Sequence, residues 1–530
     1  MEHSLDPHRP PRLPRIESRR QFDWRIPDRF NIATATVDRV ARRTPGAIAL
    51  LEPQRGRAVT FAAMKEASDR LANVFRASGV GPGDRVGVLL RQSYECALVH
   101  LATYKAGAIA VPLSVLFGED ALRYRLEDAG VRLLIAERGT IERLAEAIPA
   151  SVSVRDAAGL EADMLAASAT FEAHPTAAGD PAILLYTSGT TGRPKGALLP
   201  HRTLLGHLSG FVLYSNFPTR AARYWSPADW AWIGGLLDVL FPAWYCGCTV
   251  LAFREDHFDP EGAVRLLEQQ EVTHTFLFPT ALKLLRGLGR LARPLRLESV
   301  HSGGEPLGME LQEWSREQLG VSVNEFYGQT EANLLVGNGC TVDPIRPGSM
   351  GLPYPGHEVV LLDDDGAPLA PGTIGEIAVR TPDPVAFLGY WQNPEATAEK
   401  FHGPFLRTGD LATMDDDGYL WFTSRKDDLI KAAGYRISPF EVEEALMRHP
   451  EVAMSAVIGV ADAARGQKVL AFVTLHAGRG GTPELERSLQ DLVRRSLGHH
   501  AYPREVRFVA ALPLTTSGKI QRFRLREMVG

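Results

Sequence analysis

Up to Gly348, short apolar runs alternate with stretches of helical spacing. Residues 47–51, 86–90, 109–112, 132–136 and 182–185 read as strands. Between them, apolar positions recur every three or four residues. Phe61, Met64, Leu71, Val74 and Phe75 predict a helix over 61–78. Helices are also predicted over 32–43, 94–105 and 119–129, with a Gly-Pro-Gly turn at 79–84. After an Ala-rich link at 166–178 the alternation resumes. A helix is predicted over 204–214, and strands over 249–253, 273–278, 297–301 and 322–326. Strands alternating with helices imply parallel sheets covered on both faces.

From Gly348 the texture changes to short strands between Gly, Pro and Asp turns: 359–362, 374–380 and 419–423. That pattern suits a small β-barrel. Residues 441–509 then alternate as a compact αβ unit. The expected fold is α/β, with a large N-terminal domain over 22–426 that holds two αβ sheet subdomains and the small barrel. An α+β C-terminal domain over 427–530 follows, and residues 1–21 are expected to be a disordered lead.

Composition narrows the class. The 530 residues exceed one core, so several domains are expected. A hydrophobic share of 45% and a charged share of 23% suit a globular protein. The net charge of −5 gives no nucleic-acid footprint. Four cysteines make no disulfide framework and suit a reducing, cytoplasmic setting. Cys246-Gly-Cys248 lacks partner ligands and reads as two buried thiols. No apolar run of about 18 residues predicts a membrane span.

The densest chemistry is Tyr186-Thr-Ser-Gly-Thr-Thr-Gly-Arg-Pro-Lys-Gly196. Its glycines let backbone N–H groups converge on an anion. Ser188, Thr190 and Thr191 add donors, and Arg193 and Lys195 add positive charge. It is not a Walker loop, because Lys195 is followed by Gly196 and an apolar run rather than Ser or Thr.

Four further stretches could complete a nucleotide site. Ser302-Gly-Gly-Glu-Pro306 permits close backbone approach to a flat ring, and reads equally well as a structural turn. In Asn324-Glu-Phe-Tyr-Gly-Gln-Thr-Glu331 an aromatic can pack on a purine, Thr330 can donate to a phosphate, and Glu331 can ligate Mg²⁺. Asp410, at the end of Arg407-Thr-Gly-Asp410, can accept from two ribose hydroxyls. The basic stretches Ser424–Ile437 and Thr515–Arg522 otherwise read as a charged linker and a solvated tail.

In this order, the stretches resemble the adenylate-forming superfamily over about residues 22–530, most closely the acyl-CoA synthetases of the acetyl to medium-chain group. The resemblance implies ATP, Mg²⁺ and CoA as co-substrates and cofactor. ATP would contact Thr187, Ser188, Gly189, Thr190, Thr191, Gly192 and Lys195. The adenine side would be Gly304, Glu305 and Pro306 with Glu325, Phe326, Tyr327, Gly328 and Gln329. Thr330 and Lys519 would be catalytic, with Glu331 also the metal ligand. Asp410 and Arg425 would hold the ribose side, and Asp427 would be the hinge of a mobile C-terminal domain. Ser424 departs from the usual Gly before that Arg.

The resemblance places CoA against Ala433, Gly434, Tyr435, Arg436, Arg465 and Arg494. It places the acyl group against Trp232, Gly234 and Gly328. Acetyl-specific members carry Trp where this chain has Gly328, which implies a deeper acyl slot. Ala332-Asn333 replaces the Thr-Gly that often follows the Glu. The expected reaction joins a short- or medium-chain fatty acid to CoA through acyl-AMP. A benzoate-like aryl acid and a carrier-protein acceptor are alternatives, as is a nucleotide-binding regulator without catalysis. The resemblance also leaves room for a homodimer and for regulatory acetylation of Lys519.

Overall fold

The computed structural model describes residues 22–187, 193–255, 257–291, 293–432, 435–462, 465–514 and 520–529. The chain forms two compact units. One holds Pro194–Val359 and Val379–Leu406 together with the described chain before residue 188. The other holds Val360–Ala378 and the chain from Arg407 onward.

The first unit contains two mixed α/β sheets. A seven-stranded sheet has the order Gly389–Tyr390, Lys195–Pro200, Pro181–Thr187, Ile109–Pro112, Arg85–Leu89, Leu133–Ala136 and Ser153–Asp156. Its central strands are parallel, and Ile109–Pro112 and Leu133–Ala136 are buried at every position. Such continuous apolar runs are what a strand covered on both faces requires. A nine-stranded sheet runs Leu352–Pro353, Ala332–Gly337, Val323–Gln329, Ser299–Gly303, His274–Phe276, Arg223–Trp225, Thr249–Leu251, Ile48–Glu52 and Arg57–Thr60.

Helix ends follow local rules. The Thr60 side chain accepts from Ala63 N and starts Phe61–Ala77, whose buried face includes Phe61, Met64, Leu71 and Phe75. Ser93 does the same for Tyr94–Lys105. Thr203–Tyr214 is buried along its whole length, as a helix without a polar face must be.

Chain order misleads in one respect. Residues 47–51 precede the first run of predicted strands, yet Ile48–Glu52 pairs in parallel with Thr249–Leu251, Leu50 opposite Val250. The hairpin that brackets residues 188–192 instead joins the earlier strands, with Ile183 opposite Ala110. Each run is apolar enough for either sheet, so the apolar pattern alone does not choose the partner.

In the second unit, Val359–Leu362, Gly375–Arg380, Phe405–Met414 and Leu420–Arg425 build one small sheet. A second sheet comprises Tyr435–Ile437, Ile430–Ala432, Gly466–Leu475 and Val452–Asp462, with Glu505–Phe508 parallel to Gly466–Leu475. Pro439–Met447 and Pro483–Leu497 bury Val442, Leu446, Leu485, Leu489 and Val493 in its core. Among the described residues no helix is long and apolar enough to cross a membrane.

Candidate active site

Thr187 and Lys195 face each other across the antiparallel hairpin, so the chain between them leaves and returns at one point on the sheet edge. Tyr124 Oη donates to Pro194 O at 2.9 Å and pins the returning strand. The next strand, Gly389–Tyr390, pairs with it and sets Tyr390 opposite Ala197. Lys195 Nζ then lies 5.1 Å from the centre of the Tyr390 ring, and Tyr390 Oη donates to Glu331 Oε1 at 2.5 Å. Glu331 is buried, and its Oε2 accepts no hydrogen bond among the described residues. That oxygen is a hard donor of the kind Mg²⁺ takes.

Ser299–Gly303 and Val323–Gln329 are parallel neighbours, and their C-terminal ends bring 302–306 beside 324–331. Openings at the C-terminal ends of parallel strands are where open α/β sheets bind ligands. Leu307 N donates to Glu325 Oε1 at 3.2 Å. Burial pushes the Glu325 carboxyl up to about 8, against the pull of that bond. Phe326 is buried and stacks on Tyr214. Lys400 Nζ donates to Gln329 Oε1 at 2.9 Å.

The backbone around Gly328 leaves little room for a side chain. The pairing of Val323–Gln329 with Ala332–Gly337 slips between Tyr327 and Gln329: Gly328 alone faces Asn333, Leu334 and Leu335, so the extra residues bulge from the partner strand. A Cβ there would stand 2.4 Å from Leu334 N and 2.8 Å from Asn333 Cα. The space is filled by backbone, and Leu334 itself sits at a φ of 55°. In this chain the bulge opposite therefore favours Gly at 328.

The expected acyl wall is built by Trp232 and Gly234, both partly exposed. The Trp232 ring meets Phe117 edge-on at 6.0 Å. A Cβ on Gly234 would lie 2.9 Å from the Phe276 ring edge and 3.9 Å from Asp238 Oδ2. Asn333 Nδ2 donates to Asp238 Oδ1 at 2.5 Å, so the bulged strand and the 232–238 segment share one wall.

In the second unit, Asp410 and Arg425 are register partners on adjacent strands, with Arg425 Nε 3.2 Å from Asp410 Oδ1. Glu376 anchors that corner, taking Arg407, Lys426 Nζ at 3.3 Å and Gly409 N at 3.0 Å. Asp427 is exposed, whereas Asp428 is buried on Arg526 at 2.6 Å. Tyr435 is exposed and stacks on His500 at 4.7 Å. Arg465 pairs loosely with Asp462, and Arg494 donates to Asp491 while lying over Tyr502. Ser188, Gly189, Thr190, Thr191, Gly192, Ala433, Gly434 and Lys519 lie outside the described residues, as does the side chain of Arg436.

A family model for AMP-binding enzymes matches residues 37–391, and one for the AMP-binding enzyme C-terminal domain matches residues 441–519. The chain belongs to the AMP-binding enzyme family. Within it the chain stands with the acid–CoA ligases. It is 33% identical to the acetyl-coenzyme A synthetase of Bacillus subtilis strain 168, over 96% of this chain and 93% of that one. It is 34% identical to the human mitochondrial acyl-coenzyme A synthetase ACSM4, over 88% of this chain and 84% of that one. The crystal structure of the anthranilate CoA ligase AuaEII with anthranoyl-AMP superposes with a TM-score of 0.86 at 30% identity, covering 95% of this chain and 98% of that one.

Several residues that hold the motifs of this AMP-binding enzyme carry no motif of their own. Tyr390 follows Gly389 in an ordinary aromatic run, Glu376 sits in a short strand, and Asp238 lies in an apolar helix. A lone carboxylate at 238 among Leu, Val and Phe was the one available signal.

Proposed function

We propose that this acid–CoA ligase activates a carboxylic acid larger than acetate, of short to medium chain length, and passes it from acyl-AMP to CoA. The observation that supports the ligase chemistry is the linkage of Lys195, Tyr390 and Glu331 across two strands, beside the paired ends of 302–306 and 324–331, and the size of the acid rests on Gly328 standing where acetyl-specific members carry Trp. It joins a phosphate-type loop to a carboxylate suited to Mg²⁺.

A carboxylate is a poor acyl donor, since an oxide would have to leave. In the first half-reaction a carboxylate oxygen bonds to the α-phosphorus of ATP, and pyrophosphate departs. In the second, the CoA sulfur bonds to the acyl carbon and AMP departs. Thr187 to Gly192 and Lys195 hold the departing phosphates. Gly304 to Pro306 and Glu325 to Gln329 take the adenine, Asp410 and Arg425 the ribose, and Thr330 the α-phosphate. Mg²⁺ on Glu331 would neutralise phosphate charge when bound. Lys519 offsets the charge between carboxylate and α-phosphate. A C-terminal domain from Asp427 onward would turn between the halves, with 433–436, Arg465 and Arg494 on the CoA side. A homodimer, acetylation of Lys519 and a cytoplasmic location accompany this proposal on the family resemblance alone.

A compact aryl acid is the second reading, favoured by the Phe276 edge beside Gly234. Acid-dependent ATP–pyrophosphate exchange over a panel of acids, followed by AMP release with CoA, tests both. Exchange is expected with acids larger than acetate. Acetate outperforming every other acid overturns the proposed size. Transfer to a carrier protein but not to CoA overturns the acceptor.

A further inference from the structure

The wall beside Gly234 carries a carboxyl group that binding ATP and CoA does not employ. Asp238 is 2% exposed and lies one turn beyond Gly234, in a π-helical segment, Leu236–Leu240. Such segments widen a helix by one residue and re-aim its side chains, often at functional sites. Oδ1 is taken by Asn333 Nδ2 at 2.5 Å, and Tyr214 Oη donates to the backbone oxygen. Oδ2 has no hydrogen-bond partner among the described residues. It is turned toward Gly234, 3.9 Å from where a Cβ would stand.

Among the described residues the surroundings do not offer a counter-charge. His207 Nδ1 is 3.7 Å from Oδ1, but it also lies 3.0 Å from Leu237 O. Burial lowers the His207 ring to about 4, so it is neutral near pH 7. Burial likewise holds the Asp238 carboxyl well above the usual carboxylate range, despite the Asn333 bond. A polar oxygen that loses its remaining access to water without gaining a partner is costly, and an alkyl chain laid against it would impose that cost. Gly234 keeps the approach to Oδ2 free of a side chain, and it is partly exposed while Asp238 is not. The Phe276 edge bounds the other side.

We propose that Asp238 is a specificity-determining residue whose Oδ2 takes a hydroxyl or amino substituent on the distal part of the acid. This rests on the acid–CoA ligase function proposed above and names the class of acid more narrowly. Asn333 fixes the carboxyl so that Oδ2 faces the acid. The preferred substrate is therefore a compact acid bearing such a substituent rather than the bare hydrocarbon acid. A site built to hydrogen-bond a substrate group discriminates strongly against the analogue lacking it.

The test is pyrophosphate exchange by the full chain with matched pairs: benzoate against the amino- and hydroxybenzoates, and hexanoate against its hydroxy derivatives. At least one substituted acid is expected to exceed its parent in kcat/KM by about tenfold or more. Asp238→Leu, close in volume, is expected to erase that preference while exchange with the parent acid persists. Parent acids outperforming every substituted partner in the unaltered protein overturns the proposal without any variant. So does an unchanged preference in Asp238→Leu or, should that variant not fold, in Asn333→Ala. Absence of exchange with every acid instead overturns the ligase function itself, and the substrate class with it.

Discussion

Tyr390 Oη donates to Glu331 Oε1 at 2.5 Å, while Lys195 Nζ lies 5.1 Å from the centre of the same ring. One phenol therefore orients the carboxylate proposed for Mg²⁺ and sits beneath the cation that follows the phosphate-type loop. Hydrogen bonds to a charged group are among the stronger ones, worth about 1.5–3 kcal/mol. Tyr390→Phe is expected to reduce acid-dependent pyrophosphate exchange by about tenfold or more. It should also raise the Mg²⁺ concentration needed for half-maximal rate. An unchanged Mg²⁺ dependence would separate Tyr390 from Glu331 functionally.

Gly328 faces the bulge of the partner strand, with Leu334 N 2.4 Å from the position a Cβ would take. Gly328→Ala should destabilise the first unit by about 1–3 kcal/mol, the usual cost of overpacking. Exchange is expected to fall with every acid alike. A panel of acids run on the variant decides it: a selective gain for small acids would make Gly328 a chain-length filter instead.

Glu325 has a pH signature. Its folded carboxyl titrates near 8, against an ordinary value of 4.5. Between those values the folded chain holds a proton that the unfolded chain has released, so this group lowers stability as pH rises. Glu325→Gln keeps an acceptor for Leu307 N and cannot ionise. The melting temperature of the variant relative to the parent should therefore rise between pH 5 and pH 8. At about 1.36 kcal/mol for each pH unit that separates the two values, the difference amounts to a few kcal/mol at most. A difference that does not vary with pH would show Glu325 ionised in the fold.

Glu376 runs the other way. Burial alone would raise its carboxyl, but Arg407 and then Lys426 outweigh it and hold it below 4.5. Its stabilisation is present above pH 4.5 and lost as pH falls through the lowered value. Glu376→Gln should cost the second unit about 1–3 kcal/mol at pH 7 and progressively less on acidification. Urea melts at pH 7 and pH 3.5 measure this. The affinity for ATP should also fall, because the same corner carries Asp410 and Arg425 on adjacent strands.

Lys519→Ala is expected to lower acid-dependent pyrophosphate exchange by about 10²–10³-fold, the scale of losing one electrostatic contact to a developing charge. Conversion of preformed acyl-AMP and CoA should change far less. Equal losses in both half-reactions would remove Lys519 from the adenylation step.

Much of this protein was legible before folding. Contiguous strings such as Thr187 to Lys195 and Tyr327 to Glu331 announce their chemistry because one short loop or strand end must present several groups at once. Strand and helix types were equally readable in runs like Leu133–Ala136 and Phe61–Ala77, where burial imposes a period on the residues. What stayed hidden were the single residues that meet these strings from far along the chain. Tyr390 reaches Glu331 across 59 positions, and Asn333 reaches Asp238 across 95.

The sequence by itself determined the family, the α/β class and the order of nucleotide-binding stretches, since each is written in neighbouring residues. Only the tertiary structure decided which sheet receives Ile48–Glu52, that Gly328 faces a bulge in the partner strand, and that Asp238 turns one oxygen toward Gly234. Those outcomes depend on which strand edges and side chains meet after packing. The local sequence supplies many surfaces that could meet, and burial of polar groups allows few of them to do so unpaired.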